Sequence, residues 1–529
     1  MGKGGQASKP VRTLRSTITS LAADEPSPAK RQKPYPVKPD VGTGQRELVA
    51  VTNPATGETI ARVEMCTSDD VDASVAAAQA ALPGWAGLTS KRRAAIMLKF
   101  HSLVMQHRAE LVELIILENG KNHVEAEGDI AKGLETVEWA AALPQIDQGR
   151  TLTVSTGVVC SETREPVGVV ASIVPFNFPF MVPMWTCPIA LVAGNCVLLK
   201  PSEKVPMTMD RTFELLLEAG VPRGVFQLLH GGVDAVQRLC DHPHVDALTF
   251  VGSSRVAKIV HDRARAAGKK TLALGGAKNH LVAAADAPLE MAAADVVASF
   301  AGCAGQRCMA ASVLLTIGAQ PQLVAKIVEK AAKLKPGQAA GCVGPVIDAA
   351  SEARMRSIVD AAVADGAEVL LDGRGWRGGG TEGAAAGGTW FGPTVLRVPA
   401  AMGAHACMTA EIFGPVLCVR EVAGADEALA IENGDPHGNA ACIYTSSGAT
   451  ADYFSRRFRA GMVGVNIGVP VPREPFSFGG LEGTASKYGE HDITGDGALR
   501  FFSQLKKITT KWTTTPNAPP DAANFGGTM

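Results

Sequence analysis

The stretch Val167-Gly168-Val169-Val170-Ala171-Ser172-Ile173-Val174-Pro175-Phe176-Asn177-Phe178-Pro179 decides how the chain is read. Apolar residues run from 169 to 174 and stop at a loop bounded by two prolines, the pattern of a strand buried on both faces. Further short apolar runs at 197–199, 226–229 and 247–251 are separated by stretches with helical periodicity. This alternation over 167–285 predicts βαβ units, hence a parallel sheet covered by helices. A second series follows residue 308, with strands near Val313, Val369 and Val416 and helices over 323–334 and 349–365. It predicts another α/β domain.

At 529 residues the chain is too long for one core, so two or three domains are expected. A net charge of −1 offers no bulk field for nucleic acid or an anionic membrane, and neither is expected as a partner. The apolar stretch 180–199 is interrupted by Pro183, Pro188, Gly194 and Asn195, which marks a buried βα segment rather than a membrane span. Eleven cysteines without a C-x-x-C pair read as reduced thiols, and no metal site is expected. The first 46 residues are basic, with Asp24, Glu25 and Asp40 their only acids. Residues 11–21 suit a short basic amphipathic turn of the kind found in organellar transit peptides, which sets an expectation of a mitochondrial location. A disordered arm on a cytoplasmic protein fits those residues nearly as well.

Two segments belong to neither α/β series. Residues 151–163 suggest a protruding hairpin, and 499–505 a strand with too little chain to build its own core; they set the oligomerisation segments at 151–173 and 495–512. Both are expected to pair with another copy, in a homodimer or homotetramer.

Cys308, in Gly305-Gln306-Arg307-Cys308-Met309-Ala310, is the candidate nucleophile. A thiolate attacks an aldehyde carbon, and the resulting thiohemiacetal can expel hydride. A lone cysteine is more often a packing residue, so its neighbours carry the reading. Arg307 favours the thiolate by its charge, and the Asn177 side-chain amide offers a hydrogen bond to an oxyanion. Asn177 also fits a plain turn between two prolines.

These residues stand in one order with Leu199-Lys200-Pro201-Ser202-Glu203, Phe250-Val251-Gly252-Ser253, Leu272-Ala273-Leu274-Gly275-Gly276-Ala277-Lys278-Asn279 and Glu411-Ile412-Phe413-Gly414-Pro415. Together they resemble the aldehyde dehydrogenase superfamily over roughly residues 47–512. The cysteine motif, Ala277-Lys278-Asn279-His280 and Gly468-Val469-Pro470-Val471-Pro472 are most similar to its CoA-acylating, methylmalonate-semialdehyde dehydrogenase branch. The resemblance implies a Rossmann-type NAD-binding domain (47–150 and 174–297), an α/β catalytic domain (298–494), a small β oligomerisation arm (151–173 and 495–512) and a tail (513–529).

It also implies roles. Cys308 is the nucleophile and Asn177 binds the oxyanion. Lys200 and Glu203 hold the adenosine ribose of NAD, Glu203 disfavouring a 2′-phosphate. Phe176 lines the cofactor cleft, Gly252 and Ser253 receive the pyrophosphate at a helix N-terminus, Glu411 binds the nicotinamide ribose and Phe413 packs near the ring. Without the family match, Lys200, Glu203 and Glu411 read as solvated charges, Gly252-Ser253 as a common turn and Phe176 as core.

Hydrolytic members carry a glutamate at the position that aligns, counting back from Lys278, with Leu274; counting forward selects Ala273. Neither side chain accepts a proton, and the acylating branch typically has an amide there. The thioester on Cys308 is therefore expected to wait for the thiol of coenzyme A. The implied substrates are methylmalonate and malonate semialdehydes, giving propionyl-CoA or acetyl-CoA with loss of CO2. Their carboxylate needs a cationic clamp, for which Arg307 and Lys132 are candidates, Lys132 standing where the branch has arginine. Lys132 reads equally well as a solvated helix charge. The rival readings are a hydrolytic aldehyde dehydrogenase of another substrate class and an idle scaffold.

Overall fold

The computed structural model describes residues 35–37 and 47–512, apart from residues 156 and 377–386. The basic arm and the tail 513–529 thus lie outside the described residues, except for Tyr35–Val37, a strand parallel to Thr59–Glu64.

The first sheet contains five parallel strands: Val169–Ile173, Cys196–Lys200, Phe226–Leu228, Ala247–Val251 and Lys270–Leu274. Numbered along the chain, their spatial order is 3-2-1-4-5, the doubly wound arrangement, with Lys487–Tyr488 added antiparallel at one edge. Val169–Ile173 and Cys196–Lys200 are buried along their whole length, which is why their sequences are continuous apolar runs rather than alternating ones. The helix Met181–Ala193 is buried from Val182 to Val192 and ends at Gly194 in a left-handed turn. Its apolar character on every face follows from that position.

The second sheet takes Asn279–Ala283, Ala311–Ile317, Thr394–Arg397, Val416–Val422, Ala440–Tyr444 and Met462–Val465 in parallel, with Glu368–Leu371 antiparallel at its edge. The chain therefore passes from one sheet to the other at residues 275–278. A third sheet, of Arg150–Ser155, Val158–Pro166 and Ser503–Lys511, projects with Arg150–Ser155 exposed throughout.

Several strands sit elsewhere than the sequence suggests. Val169–Ile173, grouped above with the arm, is the central strand of the first sheet, since a fully buried strand cannot belong to an exposed hairpin. Asn279–Ala283 and the helix Leu289–Ala301, grouped above with the first domain, pack with the second sheet. The helix Gly495–Phe501 buries Ala498, Leu499 and Phe501 in the first core, so only Ser503–Lys511 extends into the arm.

Candidate active site

In a doubly wound sheet the loops after strands 1 and 4 run in opposite directions, leaving a crevice beyond their carboxyl ends. Here those loops are 174–180, after Val169–Ile173, and 252–253, after Ala247–Val251. A cleft of about 470 Å³ opens there, and its wall includes Phe176, Asn177, Gly252, Ser253, Cys308, Glu411 and Phe413. Three segments far apart in sequence are thus gathered around one thiol.

The loop carrying Cys308 is held from both sides. Asn279 and Asn439 both donate side-chain N–H groups to the Cys308 carbonyl oxygen, at 2.8 and 2.9 Å. Gly305 adopts φ +68°, and a Cβ there would lie 2.2 Å from the Gly414 carbonyl oxygen, so only glycine permits this close crossing of the two loops. Cys303 and Ala304 share left-handed backbone angles, φ 51° for each, a costly geometry for non-glycine residues in the turn that leads to Cys308. Burial and the nearby Glu411 carboxylate push the Cys308 thiol up to about 12. Arg307 and the backbone N–H groups of residues 308 and 309 pull the other way and do not win. Arg307 thus favours the thiolate in the expected direction, but burial outweighs it.

The loop carrying Asn177 is pinned by a buried ion pair absent from the sequence reading. Lys121 Nζ donates to both the Asn177 carbonyl oxygen and Asp129 Oδ2, each at 2.7 Å. It also sits 3.8 Å from the Phe178 ring centroid. Asp129 Oδ1 in turn accepts from the Met181 N–H at 2.7 Å, the start of the helix Met181–Ala193. Asn177 Nδ2 donates to the Gln306 carbonyl oxygen at 2.9 Å. An amide nitrogen carries two protons, so one remains for an oxyanion.

On the opposite side the cleft fits a dinucleotide. The helix Ser254–Ala266 opens into it with no side-chain cap and no acid in its first turn, leaving N–H groups and the positive dipole end for a phosphate. Gly275 and Gly276 keep the floor low: a Cβ at Gly276 would lie 2.4 Å from Glu411 Oε2. Desolvation raises the pKa of the half-buried Glu411, and Oε1 accepts from the Ala277 N–H at 3.0 Å. Phe413 holds φ +53° and meets Phe176 edge-on, the ring centroids 5.9 Å apart.

Lys200 and Glu203 form a 3.3 Å ion pair at the carboxyl end of the neighbouring strand, outside the cleft wall. Burial opposes ionisation of Glu203, yet Lys200 and Lys204 hold its carboxyl below the usual range. Arg307 borders a smaller cavity beside Cys308 and not the main cleft. Its guanidinium donates to the Ala298 carbonyl oxygen at 3.4 Å and lies 4.0 Å from Glu125. Lys132 borders neither cavity; it is exposed and paired with Glu135 at 3.0 Å. The two candidate clamp residues are therefore not brought together.

The cleft also contains residues missed in the sequence: Trp185, stacked on Phe478 at 4.5 Å, Arg354, which donates to the Glu411 and Ile412 carbonyl oxygens, and His437. At the end of Lys270–Leu274 no carboxylate is present, and Leu274 is buried in the first core.

The model of the aldehyde dehydrogenase family matches residues 41–508. The chain belongs to the aldehyde dehydrogenase family. As an aldehyde dehydrogenase it is 41% identical over 470 residues to malonate-semialdehyde dehydrogenase 1 of Geobacillus thermodenitrificans, covering 88% of this chain and 95% of that one. It is 39% identical to the malonate-semialdehyde dehydrogenase of Pseudomonas aeruginosa over 469 residues, 87% of this chain and 93% of that one. Among solved structures, the methylmalonate-semialdehyde dehydrogenase of Oceanimonas doudoroffii superposes with a TM-score of 0.86 at 36% identity, over 90% of this chain and 98% of that one. An NAD complex from Sinorhizobium meliloti 1021, assigned provisionally to the same activity, gives 0.87 at 35% identity, over 92% and 99%.

Proposed function

We propose that this aldehyde dehydrogenase oxidises malonate or methylmalonate semialdehyde with NAD and passes the acyl group to coenzyme A, releasing CO2 and acetyl-CoA or propionyl-CoA. One observation carries the reading beyond the family: among the described residues, Glu411 is the only acid in the cleft wall, and Lys270–Leu274 ends in a buried leucine. Glu411 is itself tied to the Ala277 N–H, and its carboxylate packs on Gly276. The relatives named above support the substrate class.

In this reading the Cys308 sulfur bonds to the aldehyde carbon while the free Asn177 N–H receives the developing oxyanion. When bound, NAD supplies the hydride acceptor. The acyl group then stays on Cys308, because neither Ala273 nor Leu274 draws a proton from water. The incoming thiol of coenzyme A displaces the Cys308 sulfur. Arg307, beside the nucleophile, is the cation we assign to the substrate carboxylate. We place contacts between copies on the exposed sheet containing Arg150–Ser155 and Ser503–Lys511.

Mass spectrometry of the products tests this. Each semialdehyde, incubated with enzyme, NAD and coenzyme A, should give a short-chain acyl-CoA; free acids as the sole products would overturn the reading.

A further inference from the structure

His437 enters the cleft wall from the loop after the helix Ala425–Gly434. Asp435 holds it twice over: one oxygen, Oδ1, accepts the backbone N–H of His437 at 2.8 Å and contacts ring Nδ1 at 2.7 Å. Both side chains are largely buried, 12% and 6% exposed. This is an imidazole oriented by a carboxylate, the arrangement that prepares a histidine to take a proton through its other nitrogen.

The same loop is fastened to the catalytic elements. Gly438 N–H donates to Ser486 Oγ at 3.2 Å, and Ser486 Oγ donates to the Gly276 carbonyl oxygen at 2.7 Å, on the cleft floor. Asn439 is the residue that donates to the Cys308 carbonyl oxygen. Only Gly438 therefore separates His437 from a residue that, like Asn279, hydrogen-bonds the Cys308 backbone. The charged and titratable groups around the ring are Asp435 on its own loop, Glu411 before the strand Val416–Val422, and His280 in the strand Asn279–Ala283. Arg354 and Cys308 share the cleft wall with it.

We propose that His437, positioned by Asp435, is the proton acceptor for the thiol that discharges the acyl group from Cys308. The inference rests on the function proposed above and supplies the base that Leu274 cannot. The sulfur of the incoming thiol forms a bond to the thioester carbon, and its proton passes to His437 Nε2. The bond between that carbon and the Cys308 sulfur then breaks, with its electron pair going to Cys308. His437 returns the proton to that sulfur, so one thiol and one thioester yield one thioester and one thiol. A thiol is more acidic than water by about seven pKa units, so it gives up its proton to a neutral base far more readily than water does.

The test isolates this half-reaction. p-Nitrophenyl acetate, an activated ester, acylates a reactive thiol without aldehyde or NAD, and the nitrophenolate burst counts the acyl-enzyme formed. Coenzyme A is then added and the loss of the acetyl group is followed by mass spectrometry. His437→Phe and His437→Gln should keep the burst amplitude and slow discharge by coenzyme A on the order of 100-fold. Asp435→Asn should slow it and also move the midpoint of its pH profile, which a merely structural role would leave in place. A rate with coenzyme A unchanged in both His437 variants would overturn the proposal, as would a loss confined to discharge by water. Should His437→Phe lose its burst through misfolding, His437→Gln, closer in polarity, gives the reading. A wild-type acyl-enzyme that discharges equally fast without coenzyme A would instead contradict the proposed function.

Discussion

Asn177 and Gln306 join two loops of the site: the Asn177 side-chain N–H donates to the Gln306 carbonyl oxygen at 2.9 Å, two residues before Cys308. One of the two amide protons is thus used to fix the side chain, and the other is left beside the thiol. The loop that carries Cys308 thus immobilises the side chain we propose as the oxyanion binder.

Replacing Asn177 with alanine removes both interactions. Its kcat should fall on the order of 10²–10³-fold with little change in affinity for NAD. Steady-state kinetics beside a cofactor titration by fluorescence would check it.

The thiol of Cys308 should be sluggish in the free enzyme. With burial and Glu411 holding it up to about 12, alkylation by iodoacetamide should keep accelerating above pH 9. Negative charge at Glu411 disfavours a neighbouring thiolate, so its removal lowers the thiol pKa. Glu411→Gln should therefore shift the alkylation profile to lower pH, as measured on enzyme without cofactor.

The buried pair of Lys121 and Asp129, 2% and 0% exposed, supports both the Asn177 loop and the helix behind it. Lys121→Met leaves Asp129 as an unpaired buried charge, which costs about 3–5 kcal/mol. Denaturant titration should report that loss, together with a lower kcat in whatever fraction folds.

For the substrate carboxylate the two cations should behave differently. Lys132, exposed and paired on its own helix, should tolerate alanine with the ratio of KM for malonate semialdehyde to that for propanal unchanged. Arg307→Leu should raise that ratio, measured in the same assay.

Much of this was visible in the linear chain for a physical reason. Strands buried on both faces, such as Val169–Ile173, are continuous apolar runs, and a doubly wound sheet puts its site at their carboxyl ends, which is where Asn177 and Gly252 stand. Cys308 and Glu411, singled out by their motifs, both line the cleft. Domain edges were not visible, because Asn279–Ala283 looks like one more strand of the first series and only pairing shows that it joins Ala311–Ile317. His437 and Asp435 lie in an ordinary-looking turn, Gly434-Asp435-Pro436-His437-Gly438, where nothing in the order of residues signals a neighbour near residue 308. Lys121 and Asp129 gave no signal either, since burial of a charge depends on what packs over it. Arg307 was read from its sequence neighbour, whereas its guanidinium turns toward Ala298 and Glu125.

The release of the acyl group is the point on which the whole account turns, and an NADH time course on malonate semialdehyde measures it directly. Without coenzyme A the account predicts a burst of about one NADH per active site and then almost no turnover; adding coenzyme A should start steady turnover. Sustained NADH production with free acid accumulating in the absence of coenzyme A would contradict it.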